Sequence, residues 1–251
     1  MNPNAAKGVL FAYSATGSGV NLYQNTSLSM TGATQVGSTT FDSVSMLQPT
    51  SDGKFLVLVA SYRGVAGLYT QSLPGGILTY LTPADTAAVS SDGSTIVFSQ
   101  SKIPGEAIGT IPTSGGTVTL LTNGSSSDFY PQFSKDGATV VFSSDRNGSN
   151  STTPYDLYTV NVASKQVTAL NINSGASEYG ASFNQAGNQI SYVVVSGMAG
   201  QSGVYVCNAD GTNSQLIYQS DSMAQSTYWT SQNGRGFGSE PPLFQRLLTK
   251  P

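Results

Sequence analysis

Short runs of Val, Ile, Phe and Tyr recur along the chain, and each follows a polar turn that ends in glycine. The run from Thr139 to Ser143, which follows the letters "KDG", is typical of these segments. Apolar residues never keep a helical period for three turns, whereas β-branched and aromatic residues are frequent at strand spacing. The pattern therefore predicts an all-β chain built from short strands.

The glycines that end these turns are almost evenly spaced. Successive gaps are 45, 40, 44, 50 and 47 residues, between Gly8, Gly53, Gly93, Gly137, Gly187 and Gly234. A period in the forties that contains several short strands is typical of propeller blades. We therefore expect a β-propeller of four-stranded antiparallel blades.

The interior of each repeat supports this expectation. A second strand carries an aromatic signature, a hairpin turn follows it, and a last strand ends in Leu-Thr or a similar pair; the signatures are "NLYQN", "GLYTQS", "DLYTVNV" and "GVYVCNAD". The turns contain glycine, which tolerates the positive φ of tight hairpins.

The segment "YPQFSKDGATVVFSSDRNG", followed by "DLYTVNVASKQVTAL", resembles the repeat of TolB-type propellers. That pattern is Pro-x-aromatic-Ser-x-Asp-Gly, an apolar strand, Ser-Asp-Arg, and an aromatic strand that ends in Leu-Thr. The resemblance extends from Lys7 to Trp229 and implies the fold. It implies no single activity, because such blades serve binding proteins, peptidases and polysaccharide lyases alike.

Strand counting favours five blades over the six that are usual in TolB-type propellers. The chain opens on a second strand, Val9 to Ser14, so the first blade lacks its innermost strand. Residues 226–231 could supply that strand and close the ring by a 3+1 seam, which leaves no open sheet edge. We therefore expect one domain over residues 1–232 and a tail, 233–251, outside the blades; a sixth blade built from the tail is the alternative.

Composition narrows the chemistry. The 251 residues include no histidine, so Ser-His-Asp triads, Cys-His dyads and His-ligated metals are excluded. The net charge of -3 argues against nucleic acid as a partner. Cys207 lies in the apolar run "GVYVCN" and is expected to be a buried hydrophobic residue.

No apolar stretch approaches the length of a spanning helix, so we expect no membrane insertion. The first residues do not form a signal peptide. The expected compartment is the cytoplasm, or the periplasm or exterior of a bacterium if a leader was removed. We expect a monomer.

Blade topology separates two kinds of loop. Asp52, Asp92 and Asp136 fall in short, uniform turns and are expected to be turn formers. The loops at the other end of the strands are long and dissimilar, and binding usually lies on variable loops of a rigid scaffold. We call that end the variable face.

Four acidic residues precede the turn glycines at similar distances and are expected where the innermost strands begin: Asp42, Asp85, Asp128 and Glu178. Carboxylates that converge there would repel one another unless a cation lies among them. Ca²⁺ takes oxygen ligands of this kind. We therefore predict a divalent cation, Ca²⁺, bound by some of the four; the alternative is that they simply begin strands and face solvent.

Other candidates for the ligand-binding face are Arg63, Tyr130, Asp145, Arg146 and Tyr179, and Tyr155 and Trp229 fall near the same face. In the TolB-type pattern an Asp-Arg pair recurs where the loop after the second strand begins, which favours a structural role for Asp145 and Arg146. The tyrosines either line a pocket or pack between blades.

Two classes of function remain. The favoured one is a binding module for a small molecule, a glycan, or a peptide or protein. The alternative is a Ca²⁺-dependent hydrolase of lactones or esters, similar in architecture to propeller lactonases, with Asp128 and Glu178 as candidate catalytic carboxylates. A carboxylate-based glycosidase is a weaker option.

Overall fold

The computed structural model describes residues 10–16, 19–25, 33–102, 105–147, 155–172, 176–196 and 202–219. These residues contain strands and turns but no helix, and so no helix long and apolar enough to span a membrane. They divide into two compact units, of which the first ends at Pro83 and the second begins at Ala84.

The first unit contains two antiparallel sheets. The first sheet has three strands: β1 (Leu10–Thr16), β2 (Gly19–Asn25) and β3 (Thr34–Phe41). The second has four: β4 (Ser43–Pro49), β5 (Phe55–Tyr62), β6 (Val65–Ser72) and β7 (Leu78–Thr82). Their facing side chains form one core, in which Leu22, Phe41, Leu56 and Leu58 are fully buried.

The second unit contains three four-stranded antiparallel sheets. The third sheet comprises β8 (Thr86–Val89), β9 (Thr95–Lys102), β10 (Gly105–Pro112) and β11 (Thr119–Leu120). The fourth comprises β12 (Asp128–Phe133), β13 (Thr139–Ser144), β14 (Asp156–Asn161) and β15 (Val167–Ala169). The fifth comprises β16 (Ser177–Phe183), β17 (Gln189–Val195), β18 (Gly203–Asn208) and β19 (Gln215–Gln219).

Each sheet pairs its strands in chain order, as predicted for a blade. The second strands of the four-stranded sheets are buried over four or five consecutive residues because both of their faces are covered. Phe142 and Val140 of β13 pack toward the third sheet, while Val141 packs toward the fifth. Cys207 lies in the core of the fifth sheet, and burial raises the pKa of its thiol to about 12. It is therefore a hydrophobic core residue, as expected.

The repeated Asp-Gly turns follow one hydrogen-bond pattern. Asp136 Oδ1 accepts from Ser134 Oγ at 2.6 Å and from the Ala138 N–H at 3.0 Å, and Gly137 adopts φ +71°. Asp92 repeats the arrangement with Ser90 and Ser94. These aspartates are turn formers, as the sequence predicts.

The number of sheets, and of strands in each sheet, agrees with part of the prediction for the blades. The first sheet has three strands in the described part of the chain, which is the number expected if its innermost strand comes from elsewhere. The segment predicted to supply that strand, 226–231, the tail 233–251 and Trp229 lie outside the described residues. The five-bladed ring and the single domain over 1–232 stay predictions.

Candidate functional site

The innermost strands of the second, fourth and fifth sheets each carry a β-bulge just after an acidic residue. The pairing shifts between Val44 and Met46, between Phe129 and Gln132, and between Tyr179 and Ser182. A bulge turns a side chain away from the regular pleat and is frequent beside functional sites. The repeat therefore places an acid and a redirected side chain together at the start of each of these strands.

In the fourth sheet the bulge positions an exposed tyrosine. Tyr130 has φ +52° and is 42% exposed. The corresponding bulge position in the fifth sheet is Gly180, with φ +57°. Left-handed backbone is costly for a residue with a Cβ, so a tyrosine here is an exception that points to a role in function.

Four aromatic rings of the fourth and fifth sheets meet around this residue, and we call them the aromatic cluster. Tyr130 meets Tyr179 edge to face at 6.3 Å, and Tyr179 lies 5.3 Å from Tyr155. Phe129 lies 5.2 Å from Tyr155 and 6.2 Å from Tyr130. The cluster joins two sheets and leaves part of Tyr130 open to solvent.

Beside the aromatic cluster lies a carboxyl pair, Asp85 and Glu106. Asp85 precedes β8, is exposed, and its Oδ2 accepts from the backbone N–H and the hydroxyl of Ser101, both at 2.9 Å. Burial is the largest cause that raises the pKa of Glu106, and together with the charge of Asp85, a hydrogen bond to Asp85 and the charges of Asp128 and Asp145 it brings that pKa to about 7. Glu106 is therefore half protonated near neutral pH.

The same electrostatics link Glu106 to the rings. Burial raises the pKa of Tyr130, and Tyr179 and Glu106 add to the rise. Burial also raises the pKa of Tyr155, with contributions from Asp145 and Glu106. The carboxyl pair and the aromatic cluster thus form one site, which we call the tyrosine–carboxyl site.

Asp128 is 1% exposed and forms an ion pair with Arg146. Its Oδ1 accepts from Arg146 Nη2 at 2.8 Å and from Ser144 Oγ at 2.6 Å. The Arg146 guanidinium also lies over the rings of Phe142 and Tyr158, at 5.0 and 4.8 Å. Arg146 therefore supplies a positive charge beside Asp128, where the sequence predicted a metal cation.

Glu178 is also 1% exposed, and its Oε2 accepts from the Leu157 N–H at 3.2 Å. Asp145 Oδ1 accepts from the Ser127 N–H at 2.8 Å, which fixes the loop before β12. These carboxylates anchor backbone at the ends of strands. The hypothesis of a cation site on Asp85, Asp128 and Glu178 has no direct support here, because no group of three or more Asp, Glu, Cys or His side chains suited to a metal occurs among the described residues.

Asp42 and Arg63 belong to the first unit. Asp42 Oδ2 accepts from Ser61 Oγ at 3.0 Å and from the Gly64 N–H at 2.8 Å. These bonds brace the two-residue turn between β5 and β6, in which Arg63 and Gly64 have φ +52° and +78°. Arg63 is therefore presented from a rigid turn.

Sequence reasoning named Tyr130, Tyr155 and Tyr179 but missed Glu106 and Phe129. Glu106 is the acid of the loop "SKIPGE", and its sequence carries no repeat signal. The structure brings it beside Asp85, because the pairing of β9 and β10 places Glu106 opposite Ser101. The backbone N–H and the hydroxyl of Ser101 both donate to Asp85.

Comparison with known proteins gives a fold and no family assignment by sequence. No family model and no curated sequence matches the chain. Among solved structures, a TolB protein of Agrobacterium tumefaciens is similar at a TM-score of 0.66 and 17% identity, over 84% of this chain and 81% of that one. TolB of Acinetobacter baumannii gives 0.67 and 17%, over 87% of this chain and 54% of that one.

Other propellers are similar at lower identity. Oligogalacturonate lyase of Vibrio parahaemolyticus matches at a TM-score of 0.64 and 13% identity, over 86% of this chain and 64% of that one. A chain of the nidogen/laminin complex matches at 0.58 and 15%, over 84% and 77%. Identities this low establish architecture alone. The chain has a TolB-like β-propeller fold.

Proposed function

We propose that the protein is a binding module whose tyrosine–carboxyl site takes a positively charged side chain, Lys or Arg, of a peptide or protein partner. The observation that carries this proposal is Tyr130, a bulky residue held in left-handed backbone where the next sheet has glycine. Its ring is partly exposed and stands beside Tyr179. Backbone strain of this kind is concentrated at active sites and ligand-binding sites.

The charge of the site favours a cation over a neutral or acidic ligand. The charges of Asp85, Asp128 and Asp145 all raise the pKa of Glu106. Among the described residues, the ion pair of Arg146 is with Asp128. An ammonium or guanidinium group placed beside Glu106 would favour its ionised form and relieve this repulsion. Tyrosine ring faces attract the same groups through cation–π interaction.

The similar structures are compatible with this kind of partner. The nidogen/laminin structure is a complex between proteins. Oligogalacturonate, which the lyase acts on, is a polyanion, and the carboxylates of the tyrosine–carboxyl site would repel it. A basic peptide is therefore the better match.

Calcium is the second candidate, and the Asp85–Glu106 pair is the observation that favours it. Two adjacent carboxyl groups, in which burial and the charge of Asp85 raise the pKa of Glu106 to about 7, are also a start for an oxygen-rich cation site. The oligogalacturonate lyase fold has been solved with manganese, so a propeller of this kind can hold a divalent ion. If Ca²⁺ binds at this pair, it raises the melting temperature of the wild type but not of Asp85→Asn. If Ca²⁺ is instead bound by the acids predicted from the sequence, the rise disappears in the double variant Asp128→Ala plus Glu178→Ala.

We favour binding over hydrolysis because both candidate catalytic carboxylates are buried. Asp128 is held by Arg146 and Ser144, and Glu178 by the Leu157 N–H. A hydrolase would instead have to use Glu106 as its proton donor. Assays of lactone and ester substrates, with calcium and with chelator, distinguish the two functions. Turnover by the wild type that is lost in Glu106→Gln would favour hydrolysis.

The binding proposal is tested with hexalysine, using hexaglutamine and hexaglutamate as controls, by calorimetric titration at low and physiological salt. We expect hexalysine alone to bind. Glu106→Gln and Tyr130→Gly should weaken it by at least about tenfold. Asp136→Asn removes a full carboxylate charge from the opposite end of the fourth sheet, so it controls for net charge and should bind as the wild type does. Equal losses in Glu106→Gln and Asp136→Asn would refute a specific site.

A further inference from the structure

The first unit contains a cavity of about 510 Å³ that the proposed function does not use. Its lining comes from the end of β5, from the turn that follows and from strands β6 and β7: Tyr62, Arg63, Val65, Tyr69, Leu78 and Tyr80. Among these lining residues Arg63 is the one that carries a charge. The volume falls within the range of pockets that bind small molecules.

Arg63 brings unused hydrogen-bond donors to the cavity. Its guanidinium lies over the Tyr62 ring at 5.1 Å, so Tyr62 is covered and offers a ligand no open ring face. Stacking uses a flat face of the guanidinium, whereas its N–H donors lie in the plane and point outward from the edges. Within the described part of the chain, the Arg63 side chain donates no hydrogen bond and has no ion-pair partner, whereas Lys54 pairs with Asp52 at 3.1 Å.

The turn that presents Arg63 is rigid and unusual for an arginine. Tyr62 pairs with Val65, so Arg63 and Gly64 form a two-residue turn, with φ +52° and +78°. Asn is favoured at the first of these positions, because positive φ is costly for most side chains. Asp42 Oδ2 accepts from the Gly64 N–H at 2.8 Å and so fixes the turn. An arginine held where asparagine suits the backbone better points to a role for its side chain.

Aromatic and aliphatic side chains form the rest of the wall. Tyr69 donates its hydroxyl to the Val65 carbonyl at 2.6 Å and meets the Tyr80 ring edge to face at 5.2 Å. A Cβ on Gly67 would lie 2.8 Å from Tyr80 Cε2, so the missing side chain lets the Tyr80 ring lie close against β6. Tyr80 and Val65 are 43% and 49% exposed. They therefore offer open apolar surface beside the guanidinium.

The charge of the lining favours an anion. Burial, Tyr80 and Asp42 raise the pKa of Tyr69, so the Asp42 carboxylate acts on one wall. Asp42 does not line the cavity, however, and a ligand there would contact Arg63 directly, so Arg63 dominates because Coulomb energy falls with distance. A single positive charge matches a monoanion, and the planar fork of a guanidinium matches a carboxylate.

We infer that this cavity binds a small aromatic carboxylate. The ligand carboxylate accepts hydrogen bonds from the Arg63 guanidinium, and the ligand ring packs against Tyr80 and Val65. The site lies within the second sheet of the first unit. It does not depend on the function proposed for the tyrosine–carboxyl site.

The test is calorimetric titration of the full chain with benzoate and naphthoate. Benzamide and naphthamide have the same shapes without the charge, and acetate has the charge without a ring, so these three are the ligand controls. We expect at least one aromatic carboxylate to bind. Its amide and acetate should each bind at least about tenfold more weakly.

Variants of the chain test the residues. Arg63→Asn should weaken carboxylate binding at least about tenfold, and because Asn suits the turn its melting temperature should not fall, so the loss is not a loss of fold. Lys54→Gln removes a positive charge just before β5, whereas Arg63 follows the end of that strand, so this charge-matched control should bind as the wild type does. Tyr80→Ala should also weaken binding. Ile77→Ala, at an exposed residue that does not line the cavity, should not.

Three results would overturn the inference: no aromatic carboxylate binds, the amides bind as tightly as the carboxylates, or Arg63→Asn loses no more affinity than Lys54→Gln. Tyr80→Ala should leave the affinity for hexalysine unchanged, so failure here and failure of the tyrosine–carboxyl site are distinguishable.

Discussion

Tyr130 and Gly180 occupy the same bulge position in consecutive sheets, and their φ angles are nearly equal, +52° and +57°. Each stands two residues after an acid, Asp128 or Glu178, whose carboxylate is buried. The backbone thus adopts a positive φ at this position in both sheets. The fifth sheet has glycine there, whereas the fourth has tyrosine.

The stability of variants at Tyr130 follows from this relationship. Tyr130→Ala keeps the left-handed strain and removes the ring, whereas Tyr130→Gly removes both. We expect Tyr130→Gly to be more stable than Tyr130→Ala by about 1 kcal/mol in chemical denaturation. The opposite order would show that the observed φ is not a constraint of the fold.

The Asp128–Arg146 pair gives a second prediction. Removing the guanidinium leaves a carboxylate that is 1% exposed without its ion pair. Arg146→Met should therefore lower the free energy of unfolding by about 3–5 kcal/mol. Asp128→Asn combined with Arg146→Met should recover part of that loss in a double-mutant cycle. Strict additivity would contradict the pairing.

Glu106 gives a pH dependence with a defined sign. Its pKa is about 7 in the folded protein, above the ordinary value of 4.5, so between these values the folded chain binds more protons than the unfolded chain. Stability must then fall as pH rises through this window. The melting temperature of the wild type should drop, relative to that of Glu106→Gln, between about pH 5 and about pH 8.

Asp136 is the internal control for that measurement, because its shift has the opposite sign. Hydrogen bonds from Ser134 and the Ala138 N–H hold the pKa of Asp136 below its ordinary value. Its contribution should therefore be lost only as pH falls into the acid range. If Glu106→Gln and Asp136→Asn show the same pH profile, the shift does not arise at Glu106.

Gly137 tests the turn chemistry of the repeat. It has φ +71°, and a Cβ would meet nothing within 4 Å, so Gly137→Ala adds conformational strain without a clash. We expect a loss of about 1 kcal/mol in denaturant unfolding. An Ala variant as stable as the wild type would mean that the turn can adopt another geometry.

Much of the fold is predictable from the sequence because the repeat fixes it locally. Each Asp-Gly turn joins two strands directly, so the positions of Gly53, Gly93 and Gly137 determine strand starts and pairing. Beyond the bulge, however, the pairing shifts by one residue and places Asp128 opposite Ser144, two residues from Arg146. The turn alone does not predict this shift, and the sequence analysis assigned the neutralising charge to a metal instead.

The tyrosine–carboxyl site was only partly predictable. Tyr130, Tyr155 and Tyr179 could be assigned to one face, since all three adjoin the strand ends of that face. Glu106 could not, because its altered pKa arises from burial and from Asp85, which precedes β8 and is distant in the sequence. The left-handed backbone of Tyr130 was hidden as well, because a bulge has no simple signature in strand periodicity.

The most direct test of the tyrosine–carboxyl site is the pKa of Glu106, measured by carboxyl ¹³C NMR titration with and without saturating hexalysine. Without peptide, we predict a value of about 7. With peptide bound, the nearby ammonium group should favour the carboxylate and lower the pKa by at least about one unit. A pKa that stays near 7 while hexalysine is bound would contradict the account, because the cation would then lie elsewhere on the protein.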